Sequence, residues 1–234
     1  MQTNDERGKG YPKSADGRPV ALEARTAGQD GRRSSPSIAR NRDVVRDAFL
    51  TSATRSGHVL EIASGTGEHG SHIADAAPGL HWSYSDLDAD SRDSQAAWAA
   101  AAVHNRLHGP FIIDASQPVW PAVEGQAFDA IFCANMVHIA PFAATKGLLA
   151  GASRHLAAEG KLFLYGPFAR DGVIAPSNQA FSQSLKQRNP DWGVRDLDRD
   201  LVPLAETVGL RLANVIDMPA NNLSVIFETV GPSA

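Results

Sequence analysis

At 234 residues, with a formal net charge of -4 and 43% hydrophobic residues, the chain suits one full α/β domain and carries no global attraction for nucleic acid or an anionic membrane. A single cysteine, Cys133, excludes an intrachain disulfide and a cysteine-based zinc site. No apolar run approaches the roughly 20 residues of a membrane span, and Met1 to Ser37 lacks the apolar stretch of a secretory signal, so the cytoplasm is the expected location.

Residues 1–35, rich in Gly, Ser, Arg and Asp and without periodicity, read as a flexible N-terminal arm ahead of a domain over 36–234. From Ser37 to Thr54, Ile38, Val44, Val45, Ala48 and Phe49 recur at helical spacing and predict a helix. Strands and helices then alternate. A strand is predicted at Val59–Ala63 and a helix at Gly70–Ala77, stopped by Pro78-Gly79. His81–Ser85 reads as a strand, Ser91–Asn105 as an alanine-rich helix, and Phe111–Ile113 and Ala127–Ala134 as two further strands. A helix at Thr145–Leu156, closed by Glu159-Gly160, leads to a strand at Lys161–Tyr165. Helical patterns at Asn178–Arg188 and Asp198–Val208 precede two strands, Arg211–Ile216 and Leu223–Glu228. Such alternation predicts a mostly parallel seven-stranded sheet with helices on both faces. The short connection between the last two strands requires an antiparallel C-terminal hairpin. The pattern resembles the Rossmann-like architecture of class I methyltransferases over roughly residues 40–230.

Ligands of open α/β sheets sit at the carboxyl ends of the strands, and polar residues cluster at those ends here. Gly65 and Gly67 permit a close backbone approach at the start of a helix. Glu61, inside the strand four residues before Gly65, would repel a pyrophosphate and attract a cationic amino-acid group such as the ammonium of S-adenosylmethionine. Gly65-Thr66-Gly67-Glu68-His69-Gly70 also fits G-x-G-x-x-G, so a nicotinamide-dependent dehydrogenase is the competing reading. Glu61, the long preceding helix and the terminal hairpin stand against it. Asp86, 19 residues after Gly67, can accept from both ribose hydroxyls, with Asp88 as a second candidate; the alternative is helix capping. The resemblance to class I methyltransferases implies that Asp114, followed by Ala115, accepts from the adenine amine; an Asx turn is the alternative. Asn135 belongs near the methionine portion of the cofactor, and Ala63 and His69 flank the glycine turn.

Several segments together resemble the methyltransferase-like 26 (DUF938) family. They are Asn41-Arg42-Asp43, Glu61 to His69, Asn135-Met136-Val137-His138-Ile139-Ala140-Pro141, Tyr165-Gly166-Pro167-Phe168, Asp191 to Asp196, and Met218-Pro219-Ala220-Asn221-Asn222. The resemblance implies the class I methyltransferase fold and S-adenosylmethionine as cofactor, without defining an acceptor. Ala63, where many methyltransferases carry glycine, fits that family.

His138, after the fourth strand, is the candidate general base, with a loop histidine held by backbone as the alternative. Tyr165 is a second catalytic candidate or a packing residue. Arg42, Asn178, Arg195, Asn221 and Asn222 are candidate acceptor-binding residues at the cleft rim. Arg195 suits a carboxylate or phosphate, or else a surface ion pair with Asp196 or Asp198, and Asn221-Asn222 also suit a turn. His104 and His108 read as a solvated pair, Cys133 as a buried inert thiol, and no metal is expected. The expected activity is methyl transfer to the nitrogen, oxygen or sulfur of a small molecule by in-line displacement. A protein or RNA methyltransferase and a non-catalytic cofactor-binding scaffold are the alternatives. The missing basic stripe argues against nucleic acid, and oligomeric state is not legible.

Overall fold

The alternation of strands and helices produces one mixed sheet in the computed structural model, which describes residues 25–230. In chain order the elements are β1 (Thr26–Ala27), β2 (Arg33–Ser34), α1 (Pro36–Ser52), β3 (Ser56–Glu61), α2 (Glu68–Ala76), β4 (Gly79–Ser85), α3 (Ala89–Ala101) and β5 (Leu107–Phe111). There follow β6 (Phe128–Ala134), α4 (Phe142–His155), β7 (Leu156–Ala169), α5 (Pro176–Arg188), β8 (Arg195–Asp196), α6 (Val202–Thr207), β9 (Leu210–Met218) and β10 (Asn222–Thr229). The sheet order is β5-β4-β3-β6-β7-β10-β9, with the two-residue β8 alongside the far end of β7. The first five strands are parallel, whereas β10 is antiparallel to both β7 and β9. The seven-stranded sheet with an antiparallel C-terminal pair is as the sequence predicts.

Period-two alternation divides the strands between two cores. Leu60, Ile131, Cys133, Leu162 and Leu164 face Leu148, Leu149 and Ala152 of α4 and Ala205 of α6. Val59, Ala130, Phe132 and Phe163 face Val45 and Phe49 of α1 and Ile73 of α2. Phe49 sits edge-on to Trp82, Phe132 and Phe163, with ring centroids 5.4–5.8 Å apart, a geometry that adds to the burial of each ring. Cys133 is buried, and burial pushes its thiol up.

Several boundaries differ from expectation. The first long strand ends at Glu61 because Ala63 turns into the left-handed region (φ 55°). The helix after it starts at Glu68, directly on the glycine turn. The edge strand β5 covers Leu107–Phe111, with Gly109 and Pro110 inside it, and not 111–113; only an edge strand with one free side accommodates that pair. Glu159-Gly160 does not cap α4. It lies in the irregular start of β7, where the register against β6 slips between Phe128 and Ala130. The pattern at 198–208 splits into a π-helical turn, Leu197–Leu201, and the short α6; the Asp196 side chain caps the turn by accepting from the backbone nitrogens of Asp198 and Arg199.

The predicted arm also contains structure. Residues 25–35 carry the β1–β2 hairpin and are tied to α2 and α3. Arg33 N donates to Ser94 Oγ, Trp98 Nε1 donates to Arg33 O, and Ser35 N donates to Glu68 Oε2. The Arg32 guanidinium covers the Trp98 ring at 4.7 Å. Residues 1–24 of that arm lie outside the described residues. At the opposite end of the sheet His104 and His108 have separate partners instead of forming a solvated pair. His104 Nε2 faces Asp75 Oδ1, and His108 stacks on His81, which stacks on His58.

Candidate active site

The chain leaves β3 through a turn that L side chains resist. Ala63, Gly65 and Gly67 all have positive φ (55°, 57° and 88°), which glycine adopts readily and alanine only under constraint. Hydrogen bonds to β4 supply the constraint. Ser64 N donates to Ser85 O, Ser85 N to Ser64 Oγ, and Ser85 Oγ to Glu61 O at 2.6 Å. Gly65 N donates to Asp86 Oδ2 at 2.9 Å and Gln95 Nε2 to Gly65 O at 3.0 Å. Gly67 has a different task. A Cβ there would lie 3.3 Å from the Gln95 backbone, so this glycine lets α2 and α3 approach and does not line the cavity.

Beside this turn, over the carboxyl ends of β3, β6 and β7, lies a cavity of about 590 Å³, within the range of small-ligand sites. The turn contributes Ala63, Ser64, Gly65 and Thr66, and α2 contributes His69. Ala134, Asn135, Ile139, Tyr165 and Pro167 form the strand-end wall. Ile38, Arg40, Asn41 and Val44 from α1 and Asn178 and Phe181 from α5 form the sides, completed by Pro219, Ala220 and Asn222 from the β9–β10 turn and by Arg25 from the N-terminal segment.

Glu61 stands at the base of this cavity, buried, its Oε2 accepting from Trp82 Nε1 at 2.8 Å. Burial pushes its carboxyl up to about 8, so an arriving cation would be needed to keep it ionised at neutral pH. His69 is also buried, its Nδ1 has no partner, and burial lowers it to about 3. Asp86 accepts from Gly65 N and, through Oδ1, from Asp88 N, while Asp88 itself caps α3 by accepting from Ser91 N. Burial raises the Asp86 carboxyl, and the Arg25 guanidinium opposes that rise. Arg25 donates to Ser91 Oγ at 2.7 Å.

The remaining predicted residues divide into those at the cavity and those elsewhere. Asn135, Tyr165, Asn178 and Asn222 line it. Asn135 takes a left-handed conformation (φ 62°), its N donating to Tyr165 O. Asn221 does not line it; its Nδ2 donates to Ser177 Oγ, and it serves the turn at φ 57°. Asp114 accepts from Ser116 N and Oγ, an Asx turn, and neither it nor Ala115 lines the cavity.

Three predicted roles need correction. His138 is buried behind Gly166, where a Cβ would come within 2.6 Å of His138 Nε2. Its ring packs edge-on against Phe168, neither ring nitrogen has a partner, and burial holds it at about 3. It neither reaches the cavity nor has the basicity of a general base at neutral pH. Arg195 does not line the cavity, and its partners are neither Asp196 nor Asp198. Its guanidinium donates to the carbonyls of Val137, Ala140 and Asp191, clamping the loop after β6. Arg42 points to a separate small depression, with Glu68 and His72. Its neighbour Asn41 is the residue that reaches the cavity, since one residue along a helix turns the side chain by about 100°.

Sequence reasoning missed Arg25, Asn41 and Phe181. Asn41 was within sight, as a member of the Asn41-Arg42-Asp43 segment. Arg25 had no signal, lying where composition gives no periodicity. Among the described residues no group of three or more His, Cys, Asp or Glu side chains could hold a metal ion, and no helix is long and apolar enough to cross a membrane.

The model of a family described as "Protein of unknown function (DUF938)" matches residues 32–229. Among solved structures, an O-methyltransferase family protein from Burkholderia thailandensis is similar, with a TM-score of 0.70 and 16% identity, over 84% of this chain and 57% of that one. Human N-acetylserotonin methyltransferase in complex with SAM gives 0.67 and 13%, over 82% and 52%. CalO1, a methyltransferase of calicheamicin biosynthesis in an SAH-bound form, gives 0.64 and 17%, over 82% and 54%. At these identities the likeness carries the methyltransferase fold, and the chain spans little more than half the length of the solved chains it matches.

Proposed function

We propose that this chain, which belongs to the DUF938 family and has the class I methyltransferase fold, transfers a methyl group from S-adenosylmethionine to a small-molecule acceptor. The observation that carries the reading is Glu61, a buried carboxyl at the base of an open cavity, pushed up to about 8 and held in place by Trp82. Such a group has use for a cationic ligand and none for a pyrophosphate. In this reading Glu61 receives the cofactor's ammonium, Ala63, Gly65 and His69 form the wall along it, and Asn135 meets its methionine portion. Asp86, oriented by Gly65 N and Asp88 N, accepts from the ribose.

When bound, S-adenosylmethionine supplies an electrophilic methyl group on a sulfonium, with no metal required. The protein aligns the acceptor in line with that methyl and excludes water from the cavity. Tyr165, Asn178 and Asn222 belong to the acceptor side. The domain runs from the segment carrying Arg25 through β10, with a cytoplasmic location. Calorimetric titration with S-adenosylmethionine, S-adenosylhomocysteine and NADH in parallel tests this. Binding of the first two alone is expected, and binding of NADH alone would overturn the reading.

A further inference from the structure

Asn41, Asn178 and Asn222 all line the cavity outside the glycine turn, and each has its amide nitrogen engaged by the protein. Asn178 Nδ2 donates to Asn221 O at 2.8 Å, Asn222 Nδ2 to Pro219 O at 3.0 Å, and Asn41 Nδ2 to the Tyr165 hydroxyl at 3.5 Å. Reversing either of the first two amides would set oxygen against carbonyl oxygen, so their orientation is fixed by the bonds they make. Asn178 and Asn222 therefore offer a ligand their side-chain oxygens. Asn41 Oδ1 is buried without any partner, and a buried carbonyl oxygen in that state costs free energy until a donor reaches it. A carboxylate, phosphate or thiolate would meet lone pairs at these three residues and, among the described residues, find cations only at Arg25 and Arg40 elsewhere on the wall, while a group rich in N–H bonds would satisfy the amide oxygens.

Among the described residues Glu61 is the sole carboxylate of the cavity wall, and the cofactor's ammonium claims it, so an ammonium on the acceptor would lack a counter-ion. We infer that the methyl acceptor is a small amine bound uncharged, its N–H groups held by the side-chain oxygens of Asn41, Asn178 and Asn222 and its apolar body against Val44 and Phe181. The inference rests on the methyl-transfer reading above. An aliphatic hydroxyl would need a base to take its proton, and the imidazole at this cavity, His69, is held at about 3 by burial. A free amine needs none. Its lone pair forms the bond to the methyl carbon while the carbon–sulfur pair stays with sulfur. One N–H proton then passes to water, leaving a methylated amine and S-adenosylhomocysteine.

The test uses the full chain and four phenyl compounds that differ in nucleophile: benzylamine, phenol, benzyl mercaptan and benzoate. Binding of each to the S-adenosylhomocysteine-loaded protein is measured by calorimetry, and turnover by release of S-adenosylhomocysteine from S-adenosylmethionine. Benzylamine alone should bind and be methylated, with kcat/KM rising about tenfold per pH unit below the amine's own pKa. Asn41→Leu should raise KM for benzylamine tenfold or more with the Kd for S-adenosylmethionine unchanged, and Asn41→Asp, which keeps an oxygen there, should recover part of the loss. Methylation of phenol, the thiol or benzoate in place of the amine would overturn the inference, as would an Asn41→Leu KM like that of the parent, or benzylamine that neither binds nor turns over. Failure to bind S-adenosylmethionine would instead overturn the methyl-transfer reading itself.

Discussion

The indole nitrogen of Trp82 donates to Glu61 Oε2 at 2.8 Å, and that bond joins two adjacent parallel strands at the point where the cavity begins. Trp82 is fully buried and Glu61 nearly so. The carboxyl is therefore fixed in direction, shielded from water on one side and presented to a ligand on the other.

The first consequence concerns stability. Burial lifts the Glu61 carboxyl from its ordinary 4.5 to about 8, so the unliganded folded chain retains a proton there that the unfolded chain has lost. Below pH 4.5 both states hold the proton and the group is neutral in its effect. Between 4.5 and about 8 the unfolded chain ionises while the folded chain stays protonated, so stability falls across that window; above about 8 both states are ionised and the loss is complete. One proton gives a slope of up to about 1.4 kcal/mol per pH unit in that window. Thermal unfolding from pH 5 to 8 is expected to show the wild-type protein losing stability relative to Glu61→Gln.

Ligand binding should report on the same proton. An ammonium beside Glu61 favours the ionised form, so S-adenosylmethionine binding at pH 7 is expected to release up to one proton. Calorimetry in phosphate and in Tris, whose ionisation enthalpies differ, reads that release. Glu61→Gln should abolish the buffer dependence and weaken binding by roughly a hundredfold. An identical enthalpy in both buffers for the wild-type protein would count against Glu61 as the ammonium's partner.

Gly70 supports this arrangement from behind. A Cβ there would lie 2.3 Å from Trp82 Nε1 and 2.5 Å from the Tyr84 ring, and neither ring has room to withdraw. Gly70→Ala is expected to cost about 2–4 kcal/mol in denaturant unfolding and, by displacing the indole, to weaken cofactor binding as well.

Asp86→Ala removes the carboxylate that positions Gly65 N and Asp88 N and, in the proposed function, the acceptor for the ribose hydroxyls. The Kd for S-adenosylmethionine should rise by roughly a hundredfold or more. Undiminished affinity would remove Asp86 from the cofactor site.

Arg195→Ala should behave as a folding variant. Three carbonyls lose their shared donor, at an expected cost of about 2–4 kcal/mol. Lysine should recover only part of it, because an ammonium cannot reproduce the planar fork. Urea titration of the two variants, alongside their cofactor affinity, separates this from a ligand-binding role.

Much of the fold was legible because the strands alternate between two buried faces, a pattern written directly in Leu60, Ile131 and Leu164 against Val59, Phe132 and Phe163. The glycine turn, Glu61 and the hairpin were legible for the same local reasons. What was not legible depends on direction and on partners distant in sequence. His138 lies in the right loop yet faces inward to Phe168. Arg42 and Asn41 are adjacent in sequence, and helix phase alone decides which reaches the cavity. Arg195 looked like an anion receptor because its three partners are backbone carbonyls, to which a sequence pattern is blind. The hairpin at 26–34 is held by contacts with Ser94 and Trp98, some 60 residues away, and two-residue strands leave no period to read.

The position of β10 governs the order in which the molecule can assemble. β9 is synthesised first, yet among the described residues its only sheet neighbour is β10, which lies between it and β7. Among the described residues β9 therefore has nothing to pair with until β10 arrives, and the connection between them is short enough for a local hairpin to form before or as β10 docks against β7. The turn of that hairpin carries Pro219, Ala220 and Asn222, so one side of the cavity is delivered in this late step. A chain stalled before it would keep the glycine turn and Glu61 while lacking that side, leaving the edge of β7 open to pair with another chain.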